Sequence, residues 1–361
     1  MVFNWCCWLS PEAGGAEVFT REVARRWVRW GHEVTLFCSG FRGCRREEFV
    51  DGVRVVRAGG RLSVYLKAKK HYRERFSGEG FDVVVDEVNT RPFFAHGFVD
   101  NGEKVVVLVH QLAREFWFYE TRFPLSHIGY YFLEPRWLKS VAGVPAVTVS
   151  ESTRRDLLGF GFRRVFVVSE GLSVEPLDAV PEKMGFPVVL FVGRLKRAKR
   201  PDHALEAFRF VKERFPNAEL WVVGDGYFRG RLERLGFGGV RFFGRVSEGV
   251  KCGLLRRGWV LVHPGVREGW GLNVVEAAGF GVPTVAYDVA GLRDSVQDGV
   301  SGLLVEDGDV EGLGEALVRI IEDEGLRLRL SKNALEYARR FSWDRSAEEF
   351  LKVLEWAVNE G

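Results

Sequence analysis

The sequence predicts an α/β protein composed of two Rossmann-like, doubly wound domains, and three observations support this prediction. Its 361 residues exceed what a single hydrophobic core usually serves. The order strand, glycine turn, helix, strand, which is typical of a parallel α/β sheet, begins near the N-terminus and begins again at Val188. Between these stretches, residues 170–186 have the prolines and acidic residues of a linker. We therefore expect an N-terminal domain over residues 1–169 and a second domain over residues 187–340.

The first elements of the N-terminal domain are a short apolar strand over residues 2–9 and a helix from about Ala16 to Trp30. The apolar residues of this helix recur at spacings near 3.6, and a second strand follows over Glu33–Cys38. Gly14 and Gly15 precede the helix, where backbone N–H groups can meet a phosphate. An ordinary tight turn is the alternative, because the dinucleotide fingerprint Gly-x-Gly-x-x-Gly is absent.

Further apolar runs predict strands at residues 52–58, 81–86, 104–109 and 144–149. His110 directly follows the third of these, at the edge where open α/β sheets bind ligands. A lone histidine is more often a hydrogen-bonded structural residue than a functional one. The position at the end of a buried strand favours a functional role.

Two other stretches of this domain have open interpretations. The basic run Lys67–Arg75 predicts a solvated helix face, and contact with an anionic membrane surface or a charged acceptor is the alternative. The aromatic segment over residues 116–137 fits packing on the sheet, or stacking on an acceptor sugar or lipid.

The second domain opens with the strand Val188–Val192, and Arg194 and Lys199 follow it in a loop that begins at Gly193. Two cations at the carboxyl end of a strand are well placed to hold a diphosphate. The next predicted strand ends at Gly224, without the fingerprint of a nicotinamide site.

Residues 262–286 form the central motif of this domain. An apolar run ends at Val262, a glycine-rich loop surrounds Glu268, and Leu272 begins a helix that contains Glu276. The free N–H groups and the positive dipole end of such a helix suit a phosphate or sugar hydroxyls. This loop is the candidate ligand site.

The amino-acid sequence of this motif resembles that of a known protein family. Residues 267–277, REGWGLNVVEA, place seven residues between Glu268 and Glu276, and GVPTVA follows at residues 281–286. With GLRDSVQDGVSGLLV at residues 291–305, the pattern resembles the donor-binding half of the family-four retaining glycosyltransferases of GT-B fold. The resemblance extends, with gaps, over nearly the whole chain.

The resemblance implies two domains that face each other across a cleft, with residues 341–361 forming a helix that crosses back to the first domain. It implies transfer of a sugar from a nucleotide-sugar donor to a hydroxyl group of a glycan, glycolipid or small molecule, with retention at the anomeric carbon. No metal and no other cofactor is expected. Relatives usually have a longer strand before the residues that match Asn4 and Trp5, so we expect a shortened first strand or an upstream start codon.

The resemblance also assigns roles to single residues. Arg194 and Lys199 would hold the diphosphate, and Glu276 would hold the ribose hydroxyls. The loop that starts at Glu268 would grip the donor sugar, and His110 would lie beside that sugar and tune its position or charge. Other positions of the implied donor site, mostly main chain, are Gly14, Gly15, Gly193, Gly224, Val246, Gly269, Trp270, Gly271 and Leu272. A nucleotide-sugar epimerase and a non-catalytic nucleotide-sugar-binding subunit remain alternatives.

The amino-acid composition indicates which partners, cysteine chemistry and cellular location to expect. A net charge of +3 in a chain with 28% charged residues is too balanced to favour a nucleic-acid partner. The five cysteines lack the spacing of a metal site or a disulfide framework, so we expect reduced and mostly buried thiols. No signal peptide or long apolar run is evident, which predicts a cytoplasmic protein, with the inner face of the membrane as an alternative location. Two methionines and two glutamines beside abundant arginine and glutamate lean towards a thermophilic source.

Overall fold

The computed structural model describes residues 1–99 and 102–360. In these residues the strands are β1 Val2–Phe3, β2 Thr35–Cys38, β3 Glu47–Val50, β4 Val53–Arg57, β5 Val83–Val88, β6 Lys104–Val109, β7 Ala146–Thr148, β8 Val165–Val167, β9 Val188–Val192, β10 Glu219–Val223, β11 Val240–Gly244, β12 Val260–His263, β13 Thr284–Tyr287 and β14 Gly302–Val305. The α-helices are α1 Gly15–Arg29, α2 Ser63–His71, α3 Phe116–Glu120, α4 Leu125–Ile128, α5 Glu134–Val141, α6 Glu151–Gly159, α7 Pro201–Arg214, α8 Arg229–Leu235, α9 Glu248–Arg257, α10 Leu272–Gly279, α11 Leu292–Ser295, α12 Val310–Glu322, α13 Glu324–Ala338 and α14 Trp343–Glu360.

The chain folds into two compact units. The first unit comprises Met1–Arg114, His127–Gly171 and Ser342–Gly361, and the second comprises Glu115–Ser126 and Leu172–Phe341. The short segment with α3 therefore groups with the second unit, although its neighbours on both sides along the chain group with the first. None of the helices in the described residues has the length and apolar composition needed to cross a membrane.

The first unit is built on a sheet with the strand order β3-β4-β2-β1-β5-β6-β7-β8. All neighbouring strands are parallel except β3, which runs antiparallel to β4 at the edge. The strand predicted over residues 2–9 is only Val2–Phe3, because the chain turns soon afterwards and Ser10 N–H bonds to Cys7 C=O at 2.9 Å. The strand order changes direction between β1 and β5, so the loops that follow these strands meet at one edge.

The second unit is built on an all-parallel sheet with the order β11-β10-β9-β12-β13-β14. Counted from β9 this is the order 3-2-1-4-5-6 of a doubly wound dinucleotide-type sheet, with its switch point between β9 and β12. At the edge of this sheet, β14 pairs parallel to β13. The predicted α/β fold with two doubly wound sheets is confirmed.

The last helix completes the core of the first unit. Trp27 Nε1 on α1 donates to Ala347 C=O on α14 at 3.0 Å, and the Trp27 ring lies 5.2 Å from the ring of Phe350. The side chain of Trp343 is buried as α14 begins. A Cβ atom at Gly171 would lie 2.3 Å from Trp343 N, so only glycine permits this approach of the two segments.

Candidate active site

The switch point of the second sheet brings two sequence-predicted loops together. β9 and β12 are adjacent and parallel, with Val189 paired to Val260 and Leu190 to Leu261. The loop after β9 contains Arg194 and Lys199, and the loop after β12 contains Glu268. Ligands of open α/β sheets bind at this carboxyl edge.

Glycine shapes the first of these loops. Gly224 has a φ of +130°, and a Cβ atom there would lie 2.0 Å from the carbonyl oxygen of Gly193. The two glycines therefore let the loops after β9 and β10 cross in backbone contact, and Gly193 N–H bonds to Val223 C=O at 2.9 Å. The crossing leaves the side chain of Arg194 exposed, and it forms no ion pair with any residue in the described ranges.

The ammonium group of Lys199 forms an ion pair with Oε1 of Glu268. His263 closes β12, and its Nε2 lies 3.3 Å from the same carboxylate oxygen. The Glu268 main chain is fixed by a hydrogen bond from its N–H to Ala290 C=O at 2.9 Å. The three side chains are largely shielded from solvent, with 17% exposure for Lys199, 11% for Glu268 and 5% for His263.

Burial and charge set the protonation of this cluster. Burial alone raises the pKa of Glu268, but the charge of Lys199 outweighs it, so the pKa is lowered and the carboxylate is ionised at neutral pH. Burial lowers the pKa of His263 to about 4; the charge of Glu268 opposes this and that of Lys199 adds to it, so the imidazole is neutral. His263 was not among the predicted residues, although its position at the end of a strand was a usable signal.

Glu276, the expected ribose contact, has its own cationic partner. Lys251 Nζ on α9 donates to both carboxylate oxygens of Glu276, at 3.0 and 2.9 Å, and lies 2.8 Å from Glu248. Burial alone lowers the pKa of Lys251, but Glu276 and Glu248 outweigh this and the pKa is raised. The structure therefore gives Glu268 and Glu276 separate counterions. Sequence patterns gave no signal for the pairing of Lys251 with Glu276, which lies 25 residues away.

The rest of the central loop is mostly enclosed. Trp270 is 6% exposed, and its ring packs edge-on against Phe341 with centroids 5.3 Å apart. Gly271 has a φ of +100° and precedes α10, where a side chain would be strained. Gly269 is buried and Leu272 is half-buried at the first position of α10. Val246 is half-buried in the loop that follows β11.

In the first unit, the N-terminus of α1 is already occupied by a carboxylate. Gly14 N–H donates to Oε2 of Glu17 at 2.6 Å, and Trp5 Nε1 donates to the other oxygen at 2.9 Å. Gly15 is the exposed first residue of α1. A phosphate that approached Gly14 would have to compete with Glu17 for this amide.

His110 is held between two buried carboxylates of the first unit. Its Nε2 lies 3.1 Å from Oε1 of Glu87, and its Nδ1 lies 3.7 Å from Oε1 of Glu170. The second distance exceeds a hydrogen bond, so Glu170 acts on the ring through its charge. Glu87 also accepts a hydrogen bond from Thr20 Oγ1 at 2.8 Å, and the ring of Phe19 meets the imidazole edge-on at 5.1 Å.

This environment charges the imidazole. Burial alone lowers the pKa of His110, but Glu170 and Glu87 outweigh it and raise the pKa to about 9. At neutral pH the ring is an imidazolium that cannot accept a proton. Across residues 1–99 and 102–360, no group of three or more His, Cys, Asp or Glu side chains could hold a metal ion.

Two family models match this chain, and each covers nearly half of it. The family model described as "Glycosyltransferase Family 4" matches residues 13–175, and the one described as "Glycosyl transferases group 1" matches residues 175–337. Together they span both units. The chain belongs to the family-four glycosyltransferases of GT-B fold. The resemblance recognised from the central motif is thus confirmed.

Individual relatives are consistent with this family. The chain is 30% identical over 237 residues to a phosphatidyl-myo-inositol mannosyltransferase of Mycobacterium leprae, covering 62% of each chain. It is 29% identical over 214 residues to a D-inositol 3-phosphate glycosyltransferase of Corynebacterium urealyticum, covering 53% of this chain and 50% of that protein. The matches thus span between half and about three fifths of these relatives' lengths. A sucrose-phosphate synthase from Thermosynechococcus elongatus has the same fold, with a TM-score of 0.80, 18% identity and 98% coverage of both chains.

The charge of His110 gives a first prediction. The folded pKa of about 9 lies above the ordinary 6.5, so the imidazolium stabilises the fold fully below pH 6.5, and this contribution is lost as pH rises through about 9. In an NMR titration we expect the His110 Cε1–H signal, assigned with His110→Gln, to change near pH 9. Glu170→Gln should lower the midpoint, whereas Glu79→Gln at an exposed ion pair should not. A titration midpoint at or below pH 6.5 in the wild-type protein would contradict the effect of Glu87 and Glu170 on the pKa of His110.

Proposed function

We propose that this glycosyltransferase moves a sugar from a nucleoside diphosphate sugar to an acceptor hydroxyl, with retention at the anomeric carbon and without a metal ion. The observation that carries the proposal is the Lys199–Glu268 pair at the switch point of the second sheet. The exposed Arg194 lies on the same loop as Lys199, and α10 begins four residues after Glu268. Cations, a carboxylate and free helix N–H groups therefore belong to two adjacent loops.

The diphosphate leaving group is the natural ligand of the cationic side of this arrangement. The Lys199 ammonium has three N–H donors, and Glu268 accepts from it through one oxygen, Oε1. The remaining donors, the guanidinium of Arg194 and the first N–H groups of α10 would neutralise charge as the phosphate departs. Side chains and backbone then supply the charge that a divalent metal provides in other transferases.

Glu276 would bind the ribose. Each oxygen of an ionised carboxylate has about two lone-pair sites, and Lys251 occupies one site on each oxygen. A carboxylate that accepts from Lys251 can also accept from the two ribose hydroxyls, while main-chain atoms near Val246 would face the nucleobase. Glu268 would accept from hydroxyls of the donor sugar.

His110 would contribute positive charge and position, not base catalysis. Its imidazolium is held between Glu87 and Glu170, so it has no free capacity to take the proton of the acceptor hydroxyl at neutral pH. The departing phosphate would then accept that proton in a front-face displacement. The relatives' names mention inositol-containing acceptors, so a polyhydroxylated acceptor, free or carried on a lipid, is the class we propose.

Donor screening tests the activity directly. We expect turnover with one of the uridine, guanosine or adenosine diphosphate sugars and an inositol-type acceptor, and no product from donor alone. Because charge is neutralised by side chains, the rate should be unchanged by a full excess of chelator. Loss of activity in chelator that magnesium or manganese restores would overturn the metal-free mechanism, and product formed without acceptor would favour an epimerase.

Membrane contact is proposed for the helix that begins at Ser63. Lys67, Lys69 and Lys70 are exposed there, and Leu66 is 75% exposed beside them. Each basic residue near an anionic surface contributes about 1 kcal/mol to binding. We expect co-sedimentation with vesicles of anionic lipid, and loss of it when the three lysines become glutamate. The matched control, with the same charge change, replaces exposed cations of α13 and α14: Arg329, Lys332 and Lys352. Equal binding by both variants would remove the proposal.

Substitutions of Glu268 and of Glu276 should have different effects on donor binding and turnover. Glu276→Gln removes a charged acceptor for ribose, worth roughly 1.5–3 kcal/mol, so nucleoside diphosphate affinity should fall about ten- to a hundredfold. Glu268→Gln frees Lys199 for the diphosphate, so it should lower turnover without weakening nucleotide binding. Calorimetric binding and turnover with the full donor measure the two effects, and thermal denaturation checks that both variants fold. The opposite pattern would show that the assigned ribose and sugar positions are reversed.

A further inference from the structure

The segment Glu115–Ser126, which we call the strap, contacts the loops of the proposed donor site. It contains α3 and groups with the second unit, whereas Arg114 before it and His127 after it group with the first. Its aromatic composition suggested packing or an acceptor contact. Its polar side chains form hydrogen bonds with the loops that carry Lys199 and Glu268.

Glu120 of the strap holds the turn that carries Lys199. Its Oε1 accepts a hydrogen bond from Ala198 N–H at 2.9 Å, and its Oε2 accepts from the hydroxyl of Tyr227 at 2.9 Å. The same hydroxyl accepts from Arg197 N–H at 3.0 Å. The first N–H groups of a helical turn have no partner within the turn, and Glu120 supplies one directly and one through Tyr227.

Tyr119 of the strap supports the next residue, Arg200. Arg200 has a φ of +45°, which is unfavourable for a residue with a side chain, and it lies between Lys199 and the first residue of α7. Its Nη2 donates to the hydroxyl of Tyr119 at 2.6 Å, and its guanidinium lies 5.1 Å from the centre of the Tyr119 ring. An ion pair with Asp307 completes this restraint.

The strap also reaches the loop of Glu268. Oε2 of Glu115 accepts from Nε of Arg267 at 2.7 Å, one residue before Glu268. The two donor loops are themselves joined by a hydrogen bond from Val266 N–H to Ala198 C=O at 3.0 Å. The strap therefore restrains both members of the Lys199–Glu268 pair through their neighbours.

We propose that the strap is a positioning element of the donor site: Glu120 and Tyr119 fix the turn that carries Lys199, and Glu115 fixes Arg267 beside Glu268. The proposal rests on the donor site proposed above. A preorganised ammonium group loses less freedom when it binds a diphosphate, so the strap contributes to affinity without touching the ligand. Its effect should fall on the phosphate part of the donor, because its hydrogen bonds reach the loops of Lys199 and Glu268, whereas Lys251 and Glu276 lie on α9 and α10.

The experiment uses the full chain with Glu120→Ala. Glu120 is exposed, so this change leaves the core intact. Hydrogen exchange in the ligand-free protein should become faster in the peptide that contains residues 194–200. Affinity for the nucleoside diphosphate should fall about tenfold, as expected for loss of a charge-assisted hydrogen bond, with affinity for the nucleoside alone unchanged.

Three variants sharpen the test. Glu120→Gln keeps an acceptor for Ala198 N–H and should restore most of the protection and affinity. Tyr119→Phe removes only the hydroxyl that Arg200 uses, and should weaken diphosphate binding in the same selective manner. Glu322→Ala, which breaks the exposed pair with Arg214 in the same unit, is the matched control and should change neither readout.

Two readouts separate this proposal from the proposed function. Unchanged exchange at residues 194–200 in Glu120→Ala, or equal losses of nucleoside and diphosphate affinity, would overturn the positioning role. If the wild-type chain binds no nucleoside diphosphate, the donor site is wrong, and hydrogen exchange alone then decides whether the strap fixes the turn. Faster exchange with a selective loss of diphosphate affinity would support both.

Discussion

The ion pair between Lys199 and Glu268 sets the demands on the loops around it. Two charges with little solvent exposure remain stable only if each neutralises the other in a fixed geometry. Gly224 allows the close backbone crossing that shapes the lysine loop, and the hydrogen bond between Val266 and Ala198 ties that loop to the glutamate loop. Much of the irregular structure at this edge of the sheet serves to hold these two side chains.

Two buried histidines show how strongly local charge decides protonation. His110 lies between carboxylates and is cationic, whereas His263 lies near the ammonium of Lys199 and is neutral. Burial disfavours the charged form in both cases, so the difference comes from the carboxylates: two of them act on His110, whereas the one beside His263 is already paired with Lys199. Two histidines at the carboxyl ends of parallel strands therefore have different charges at neutral pH.

The sequence predicted the regular parts of the fold well because apolar runs bounded by glycine or proline define buried parallel strands. Strands β6 and β9 have the predicted limits. The length of β1 was overestimated, because it is limited by a turn whose hydrogen bonds are not visible in a linear pattern.

Some contacts of the candidate site could also be predicted from the sequence, and others could not. Lys199 and Glu268 follow adjacent strands, so their proximity follows from strand order and the family motif. The pairing of Lys251 with Glu276, the second carboxylate at His110 and the contact of Glu120 with Ala198 depend on how helices and loops pack over long sequence separations. Helix periodicity and short motifs carry no information about such contacts, and only three-dimensional packing reveals them.

The close approach of Gly171 to Trp343 has a consequence for how the protein is made. The first unit takes most of its residues from the first half of the chain, yet α14 supplies Phe350 and Trp343 to its core. During synthesis this core stays open while the whole second unit emerges from the ribosome. The first unit to be translated is therefore the last to be completed, and its exposed α1 surface depends on the final helix to be shielded from aggregation.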